Sequence, residues 1–168
     1  IRLSNSEGFP TGAIYGFTQT LQKLLRTFQP QHLVFCFDVS RKTIRRKRYA
    51  DYKIQRPALP DPLKLQIPYM KDIVRWYGIA SVEAEGYEAD DVIAVLSDKA
   101  VQKGWDVVIV TQDKDLYQLL RNDRVTIYNP GNDQTVSYAD FRERFGFGPE
   151  YFVDYLALRG DATDNIPG

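Results

Sequence analysis

Short apolar runs alternate with amphipathic segments along most of the chain, and this alternation limits the possible folds more than any other feature. Four runs are short and rich in β-branched or aromatic residues: HLVFCF, IASVEA, DVVIV and RVTIYN. Between them lie segments with helical spacing, such as residues 11–28, whose apolar side chains form one stripe. Strands that are apolar on both faces and alternate with helices indicate a parallel sheet covered by helices. We therefore predict an α/β fold with a central, mostly parallel sheet flanked by helices.

Proline and glycine residues, together with helical spacing, define the other predicted elements. The spacing predicts one helix from near Pro62 to Gly78, with Pro68 introducing a kink, and a short helix in KDLYQLL. A chain of 168 residues can form one domain with a core, so we predict a single domain over residues 1–168. Cys36 is the only cysteine, which excludes an internal disulfide and fits a reducing compartment. Since no apolar run approaches the roughly 18 residues of a membrane span, no membrane partner is predicted.

Acidic residues follow three of the predicted strands. In open parallel sheets, ligands bind beyond the carboxyl ends of the strands, so these side chains should face one crevice. Two further acids, Asp161 and Asp164, have the i, i+3 spacing that places side chains on one side of a helical turn. The acids at the strand ends are Asp38, Glu88, Asp90, Asp91, Asp113 and Asp115.

Each acidic group also has a structural interpretation. Acids in the first turn of a helix are favoured by ~0.3–1 kcal/mol each, and the others fit turns or solvated loops. Together, however, so many carboxylates would raise one another's pKa unless cations neutralise them. An oxygen-only set favours Mg²⁺ or Mn²⁺, and the only histidine, His32, is poorly placed as a ligand. Two such ions ~3.5–4 Å apart can promote phosphodiester hydrolysis.

The basic segment, residues 40–56, carries eight basic residues and one acid. Its net charge is +7, so the rest of this formally neutral chain carries −7. Such a segment can bind a polyanion, and its tyrosines can stack on exposed bases, although a solvated charged helix is the alternative. If the segment is helical, one face carries Arg45, Arg48, Tyr49, Tyr52, Lys53 and Arg56.

Motifs along nearly the whole chain resemble a known family. They are PTGAIYGF, FCFD, RYADYKIQR, GYEADDVIAVL, TQDKDLYQLL and LALRGDATDNIPG. In this order and spacing they are similar to the 5′-nuclease domain at the N-terminus of bacterial DNA polymerase I, in the flap-endonuclease family. The resemblance implies a PIN-like or resolvase-like core with a basic helical arch over residues 40–60. It also implies a bacterial, cytoplasmic, nucleoid-associated and monomeric protein.

The resemblance further implies an activity and its residues. The enzyme would be a divalent-metal-dependent 5′–3′ exonuclease and flap endonuclease that hydrolyses phosphodiesters at 5′ flaps and 5′ ends of DNA, and RNA primers paired with DNA, in replication and repair. Two Mg²⁺ ions, replaceable by Mn²⁺, would be held by Asp38, Glu88, Asp90, Asp91, Asp113, Asp115, Asp161 and Asp164. The implied catalytic residues are Lys53, Arg56, Asp90 and Asp91. The implied DNA-binding residues are Arg45, Arg48, Tyr49, Tyr52, Lys53 and Arg56.

Two departures from the family pattern qualify this expectation. The family's first strand, with its metal-binding aspartate, and the helix-hairpin-helix that follows DNIPG are missing from the sequence, so we expect a fragment. Whether a polymerase domain follows on the same chain stays open. Two other functions remain as alternatives. One is an enzyme of another class with an acidic DxD motif after a strand, either Toprim or a haloacid-dehalogenase-like phosphotransferase, the latter fitting FDVSR and DKDLY poorly. The other is an impaired nuclease-like module that binds branched DNA.

Overall fold

The computed structural model describes residues 3–40, 42–122 and 124–168, so Arg41 of the basic segment lies outside the described residues. The chain divides into two compact units, residues 1–37 with 57–82, and residues 38–56 with 83–168. The α-helices are α1 (Gly12–Phe28), α2 (Ile44–Arg48), α3 (Asp61–Lys64), α4 (Ile67–Trp76), α5 (Ala89–Gln102), α6 (Tyr138–Phe145) and α7 (Phe152–Arg159). The strands are β1 (Val34–Cys36), β2 (Ala80–Val82), β3 (Val107–Val110), β4 (Val125–Asn129) and β5 (Gln134–Val136). Two 3₁₀-helices cover Lys114–Leu119 and Pro149–Tyr151.

The first unit pairs β1 with β2 in parallel, with Phe35 opposite Ser81. Helix α1 packs against α4, and Leu21 of α1 is fully buried. The start of α1 has no cap from its own N-cap residue. Instead, the buried Gln66 accepts hydrogen bonds through Oε1 from the backbone N–H groups of Ala13 and Ile14, at 2.8 and 3.1 Å. A side chain about fifty residues away therefore satisfies donors that every helix start leaves free.

The single helix predicted from Pro62 to Gly78 is wrong in its continuity. The structure has two helices there, α3 and α4, separated at Leu65 and Gln66. Pro68 lies in the first turn of α4, where the missing N–H of proline costs no helical hydrogen bond. Proline therefore starts a new helix here rather than bending an old one.

The second unit contains a three-stranded sheet in the order β3-β4-β5. Strand β4 is parallel to β3, with Ile109 opposite Ile127, and antiparallel to β5, with Ile127 opposite Val136. The parallel pairs in both units confirm the predicted α/β class, and they lie in two sheets, one in each unit. Strand β5 was not predicted, because the polar sequence QTV has too little apolar alternation to indicate a strand.

An aromatic core stabilises the second unit. Phe141 of α6 has no exposed surface, and its ring lies 4.4 Å from that of Phe145 and 5.2 Å from that of Phe152. Tyr117 packs edge-on against Phe141 at 6.0 Å, while Ile127 of β4 is 1% exposed. This core joins the sheet, the 3₁₀-helix Lys114–Leu119 and the two C-terminal helices.

The basic segment is not one helix. Of its described residues only Ile44–Arg48 are helical, Tyr49 is extended, and Lys53 has a left-handed φ of 55° within a series of turns. The predicted shared helix face is therefore wrong for this structure. Four like charges within one short helix repel one another, which opposes extension of α2. Among the described residues, no helix combines the length and apolar character needed to cross a membrane.

Candidate active site

The second unit contains an acidic cavity of about 170 Å³. Five carboxylates line it together with three side chains of the basic segment and two residues of the 3₁₀-helix Lys114–Leu119. The lining residues are Glu88, Asp90, Asp113, Asp115, Asp164, Arg45, Tyr52, Lys53, Leu116 and Gln118. The sequence prediction that distant acids meet in one place is thus confirmed for these five carboxylates.

The 3₁₀-helix that follows β3 fixes two of the acids. Asp113 precedes this helix and accepts a hydrogen bond through Oδ1 from the backbone N–H of Asp115, at 3.0 Å. The next two residues, Leu116 and Tyr117, are buried in the aromatic core. Because core packing holds one side of this short helix, Asp115 has little freedom to leave the cavity.

The loop at residues 161–166, hereafter the acidic loop, supplies Asp161 and Asp164. Asp161 and Ile166 form two backbone hydrogen bonds, of 2.9 and 2.8 Å, so the loop is closed by a β-bridge rather than by the helical turn we predicted. Gly160 permits this closure, because its φ is 71° and a Cβ there would lie 2.7 Å from the carbonyl oxygen of Ile166. Carboxylate oxygens of Asp115, Asp161 and Asp164 lie within 4.8 Å of one another.

Three acids lie at the start of α5, two of them in its first turn, and they have different partners. Asp90 lines the cavity. Asp91 accepts hydrogen bonds from both terminal nitrogens of Arg45, at 2.6 and 2.7 Å, and from the backbone N–H of Glu88, at 3.0 Å. Asp38 accepts from the backbone N–H of Ala89 at 2.7 Å. Asp38 and Asp91 therefore cap the helix, and neither lines the cavity among the described residues. The structural interpretation predicted a capping role for Asp91, whereas it assigned Asp38 to a turn.

Basic side chains neutralise the cavity. Lys53 Nζ lies 2.7 Å from Glu88 Oε2 and 3.6 Å from Asp164 Oδ2, and Arg56 Nη2 lies 2.6 Å from Asp164 Oδ1. The buried Glu88 also accepts hydrogen bonds from the hydroxyls of Tyr52 and Thr43. A buried carboxylate needs this compensation, because an unpaired buried charge is strongly destabilising.

The pKa values of the acids at this site shift in two directions. Burial and the neighbouring Asp113 raise the pKa of Asp90 to about 6. Burial and the neighbouring acids, Asp113 first, also raise the pKa of Asp115. By contrast, the hydrogen bonds from Arg45 hold the pKa of Asp91 below its ordinary value. Burial opposes the charge on Lys53, but its hydrogen bond to Glu88 raises the pKa overall. The acids on the cavity wall thus favour extra positive charge, whereas Asp91 already has its partner.

The predicted DNA-binding residues separate into two groups. Arg45, Tyr52 and Lys53 line the cavity, and Arg56 contacts it through Asp164. Arg48 lies on the exposed α2 and is not a cavity residue, and the hydroxyl of Tyr49 donates to the backbone carbonyl of Asn165 at 3.2 Å. The structure thus brings together only part of the predicted set.

Three residues at this site were not predicted. Thr43 is buried, and its hydroxyl oxygen accepts from the backbone N–H of Arg46 at the start of α2. A threonine before a helical run is a typical N-cap, so this signal was present in the sequence. Gln118 and Leu116 line the cavity because a 3₁₀-helix turns every three residues, and the sequence alone did not distinguish it from an α-helix.

Taken together, the parallel α/β fold and the acidic cavity place the chain in the class of resolvase-like domains. Residues 1–146 match the profile of a family described as "5′-3′ exonuclease, N-terminal resolvase-like domain". The chain belongs to this family.

Relatives and solved structures agree with this assignment. The chain is 52% identical over 166 residues to a "5′-3′ exonuclease" of Aquifex aeolicus, covering 99% of this chain and 57% of the relative. It is 40% identical over 171 residues to a "DNA polymerase I" of Caldicellulosiruptor bescii, covering 99% of this chain and 20% of the relative. The chain therefore spans little more than half of the first relative and a fifth of the second.

The fold is also found in a crystal structure of a bacteriophage T5 flap endonuclease complexed with DNA and metal ions. The two share a TM-score of 0.77 at 22% identity, over 99% of this chain and 64% of the phage chain. A T5 5′-exonuclease bound to divalent zinc ions gives a TM-score of 0.76 at 22% identity, over 92% of this chain and 60% of that chain.

Proposed function

We propose that this chain is the catalytic core of a divalent-metal-dependent 5′ nuclease that hydrolyses phosphodiesters at 5′ flaps and 5′ ends of DNA, and in RNA primers paired with DNA. One observation carries the proposal: five carboxylates and the amine of Lys53 line the same small cavity. Oxygen ligands for a hard cation beside a group that attracts phosphate suit phosphodiester chemistry. The names of the relatives and of the T5 structures support it.

The geometry of the acidic loop fits a divalent cation. Mg²⁺ binds oxygen at about 2.1 Å, so ligands on opposite sides of the ion lie about 4 Å apart. The grouped oxygens of Asp115, Asp161 and Asp164 lie within 4.8 Å of one another, which is close to this separation. The raised pKa values of Asp90 and Asp115 also support a cation, because burial and the neighbouring acids disfavour their negative charge and a bound cation would favour it.

We propose that Asp115, Asp161 and Asp164 hold one ion, and that Glu88, Asp90 and Asp113 hold a second. Once bound, the ions supply polarisation of a phosphodiester and activation of a water as the nucleophile. Two Mg²⁺ ions, replaceable by Mn²⁺, suit this oxygen-only set. Asp38 and Asp91 then act indirectly, by fixing the start of α5.

The basic segment is proposed to bind the nucleic acid. The Lys53 amine would contact the phosphate under attack and stabilise the charge that develops there. Arg56 would orient the same phosphate or its leaving group, and Arg45 would add attraction for the strand. Lys53 Nζ lies 4.8 Å from the centre of the Tyr52 ring, so one face of that ring is occupied and the other would stack on the terminal base.

The alternative is an impaired nuclease-like module that binds branched DNA. The ion pairs of Lys53 and Arg56 with the cavity acids favour it, because they neutralise the carboxylates without a metal.

Cleavage of a 5′-labelled flap with Mg²⁺ tests the two functions, with EDTA and a blunt duplex as controls. We expect a short labelled product from the flap substrate in Mg²⁺, and no such product in EDTA or from the blunt duplex. Asp115→Asn should lower the rate at least about a thousandfold, since the ligand supports the main source of charge stabilisation. Tight flap binding without product, in the original chain and in Asp115→Asn alike, would contradict the nuclease and support the binding module.

A further inference from the structure

Asn165 connects the acidic loop to the end of the basic segment through three contacts. Its side-chain N–H donates to the backbone carbonyl of Asp51 at 3.2 Å, and its Oδ1 accepts from Gln55 Nε2 at 2.9 Å. Its backbone carbonyl accepts from the hydroxyl of Tyr49 at 3.2 Å. Both ends of the amide are thus used, on partners more than 100 positions away along the chain.

Neighbouring residues complete the connection. The backbone N–H of Lys53 donates to the carbonyl of Asp164 at 3.0 Å, although Lys53 itself has a left-handed φ of 55°. Asn165 also has a left-handed φ, of 60°, a conformation that asparagine tolerates better than most residues. Two residues in this less common conformation therefore face each other across the contact, and the hydrogen bonds between the segments offset that cost.

The connection determines where two positive charges lie. The turn at residues 49–56, hereafter the basic turn, contains Lys53 and Arg56. With the turn attached, Lys53 reaches Glu88 and Arg56 reaches Asp164. Asp164 is also one of the three acids grouped for a cation. The Asp164 carboxylate therefore pairs with the basic turn and also belongs to the cation group, so the basic turn and a divalent ion would compete for it.

We propose that Asn165 is a positioning residue that attaches the basic turn to the acidic loop, so that Lys53 and Arg56 act as built-in counter-cations of the acidic cavity. The inference rests on the proposed function, because it assigns a role in that same site. It makes two opposite predictions. Releasing the turn should improve the binding of a divalent cation, and it should also slow the reaction, since Lys53 and Arg56 no longer point at the phosphate.

The test substitutes Asn165 by glycine. Glycine keeps the left-handed backbone without strain, so the change isolates the side-chain hydrogen bonds. Asn122→Gly is the matched control, because Asn122 has the same left-handed backbone, with a φ of 41°, and makes none of these contacts. Gln55→Ala removes one contact from the other side and serves as a second, milder variant.

Three measurements follow. Amide hydrogen exchange in residues 49–56 should accelerate in Asn165→Gly, and Mn²⁺ titrated without DNA should bind more tightly, by about three- to tenfold for the two side-chain hydrogen bonds removed. Single-turnover flap cleavage at saturating Mn²⁺ should slow by about tenfold. Gln55→Ala should change each quantity in the same direction by less, and Asn122→Gly should leave all three unchanged.

Tighter Mn²⁺ binding with slower cleavage is a combination that a merely damaged fold does not produce. Mn²⁺ affinity equal to or weaker than that of the original chain, in both Asn165→Gly and Gln55→Ala, would overturn the proposal. The Mn²⁺ and exchange measurements do not need catalysis. If they change as expected while the original chain cleaves no flap, the positioning role stands and the proposed nuclease activity fails.

Discussion

The aromatic core and the acidic cavity share one short helix but follow opposite physical rules. On one side of Lys114–Leu119, Tyr117 is buried among rings whose contacts stabilise the fold. On the other side, burial and the neighbouring acids raise the pKa of Asp115. The core gains free energy from every contact, whereas the cavity holds like charges together at a cost. The packed aromatic core therefore fixes the position of the acidic cavity, where like charges repel one another.

The strongest test of the stabilising side is Phe141→Ala. The side chain is fully buried, so its loss should lower the free energy of unfolding by about 3–5 kcal/mol, measured by urea denaturation. Tyr151→Ala is the control, since Tyr151 is 59% exposed and its loss should cost less than about 0.5 kcal/mol. Equal effects of the two changes would mean that the rings do not form the stabilising region.

On the cavity side, Lys53→Met should act on rate more than on fold. Removing the amine should slow single-turnover flap cleavage at saturating Mg²⁺ by about a hundredfold, because the positive charge that would stabilise the phosphate under attack is lost. Lys47→Met, on the exposed α2, should change this rate by less than about twofold, since surface charges act mainly on association. A Lys53 variant with an unchanged rate would remove this residue from the chemistry.

The cost of the cavity can be measured through Asp90. Its pKa of about 6 lies above the ordinary 3.8, so the folded chain binds this proton more tightly than the unfolded chain does. The free energy of unfolding is therefore little affected by Asp90 at pH values below its ordinary pKa. It falls as pH rises towards 6, and above 6 it is lowered by the full cost of ionising Asp90 in the cavity. In EDTA at pH 8, Asp90→Asn should raise the free energy of unfolding by about 1–2 kcal/mol, after discounting for solvent screening.

The gain for Asp90→Asn should be much smaller at pH 4, where Asp90 is protonated in the folded chain and largely loses its charge penalty. Urea denaturation of the two proteins at both pH values measures this difference. A gain of the same size at pH 4 and pH 8 would show that the charge on Asp90 is not its source.

The smallest effect is expected at Asp91, next to Asp90 on α5. Arg45 holds the pKa of Asp91 below its ordinary value, so this carboxylate stabilises the fold above about pH 4 and loses that effect as pH falls further. Asp91→Asn should therefore lower the free energy of unfolding at pH 8, by about 0.5–1 kcal/mol for a partly exposed pair. Opposite signs at the two neighbouring positions would sharpen the division between cavity acids and capping acids.

The sequence predicted this region well where chain direction decides the outcome. Asp113 and Asp115 follow β3, so their place beyond the carboxyl end of that strand was predictable from chain order. Glu88 and Asp90 follow β2, which belongs to a different sheet, so a shared sheet edge does not explain why they line the same cavity. The sequence could not predict that Asp91 pairs with Arg45. Helix capping and cavity lining require the same residue types at the same positions, so the pattern alone does not distinguish them. That choice depends on where the basic segment lies, which is set by contacts with residues more than a hundred positions later.

The fold shows the same limit. The helix α1 followed from its apolar stripe, and strands β1 to β4 from their short apolar runs. The basic segment looked helical by spacing, yet four adjacent like charges and the partners offered by the acidic loop outweigh local preference. Strand β5 is held by backbone pairing with β4, and its mostly polar side chains give no apolar alternation that would indicate a strand.

Gln66 gives the first unit an order of assembly. It closes the first turn of α1 from a position more than fifty residues downstream. On the ribosome, the middle of α1 can become helical as soon as it emerges, but its first turn has to wait until residue 66 has also left the exit tunnel. The beginning of this helix in sequence is therefore completed late in time, and pulse-labelled amides at Ala13 and Ile14 would acquire protection together with α4 rather than with the rest of α1.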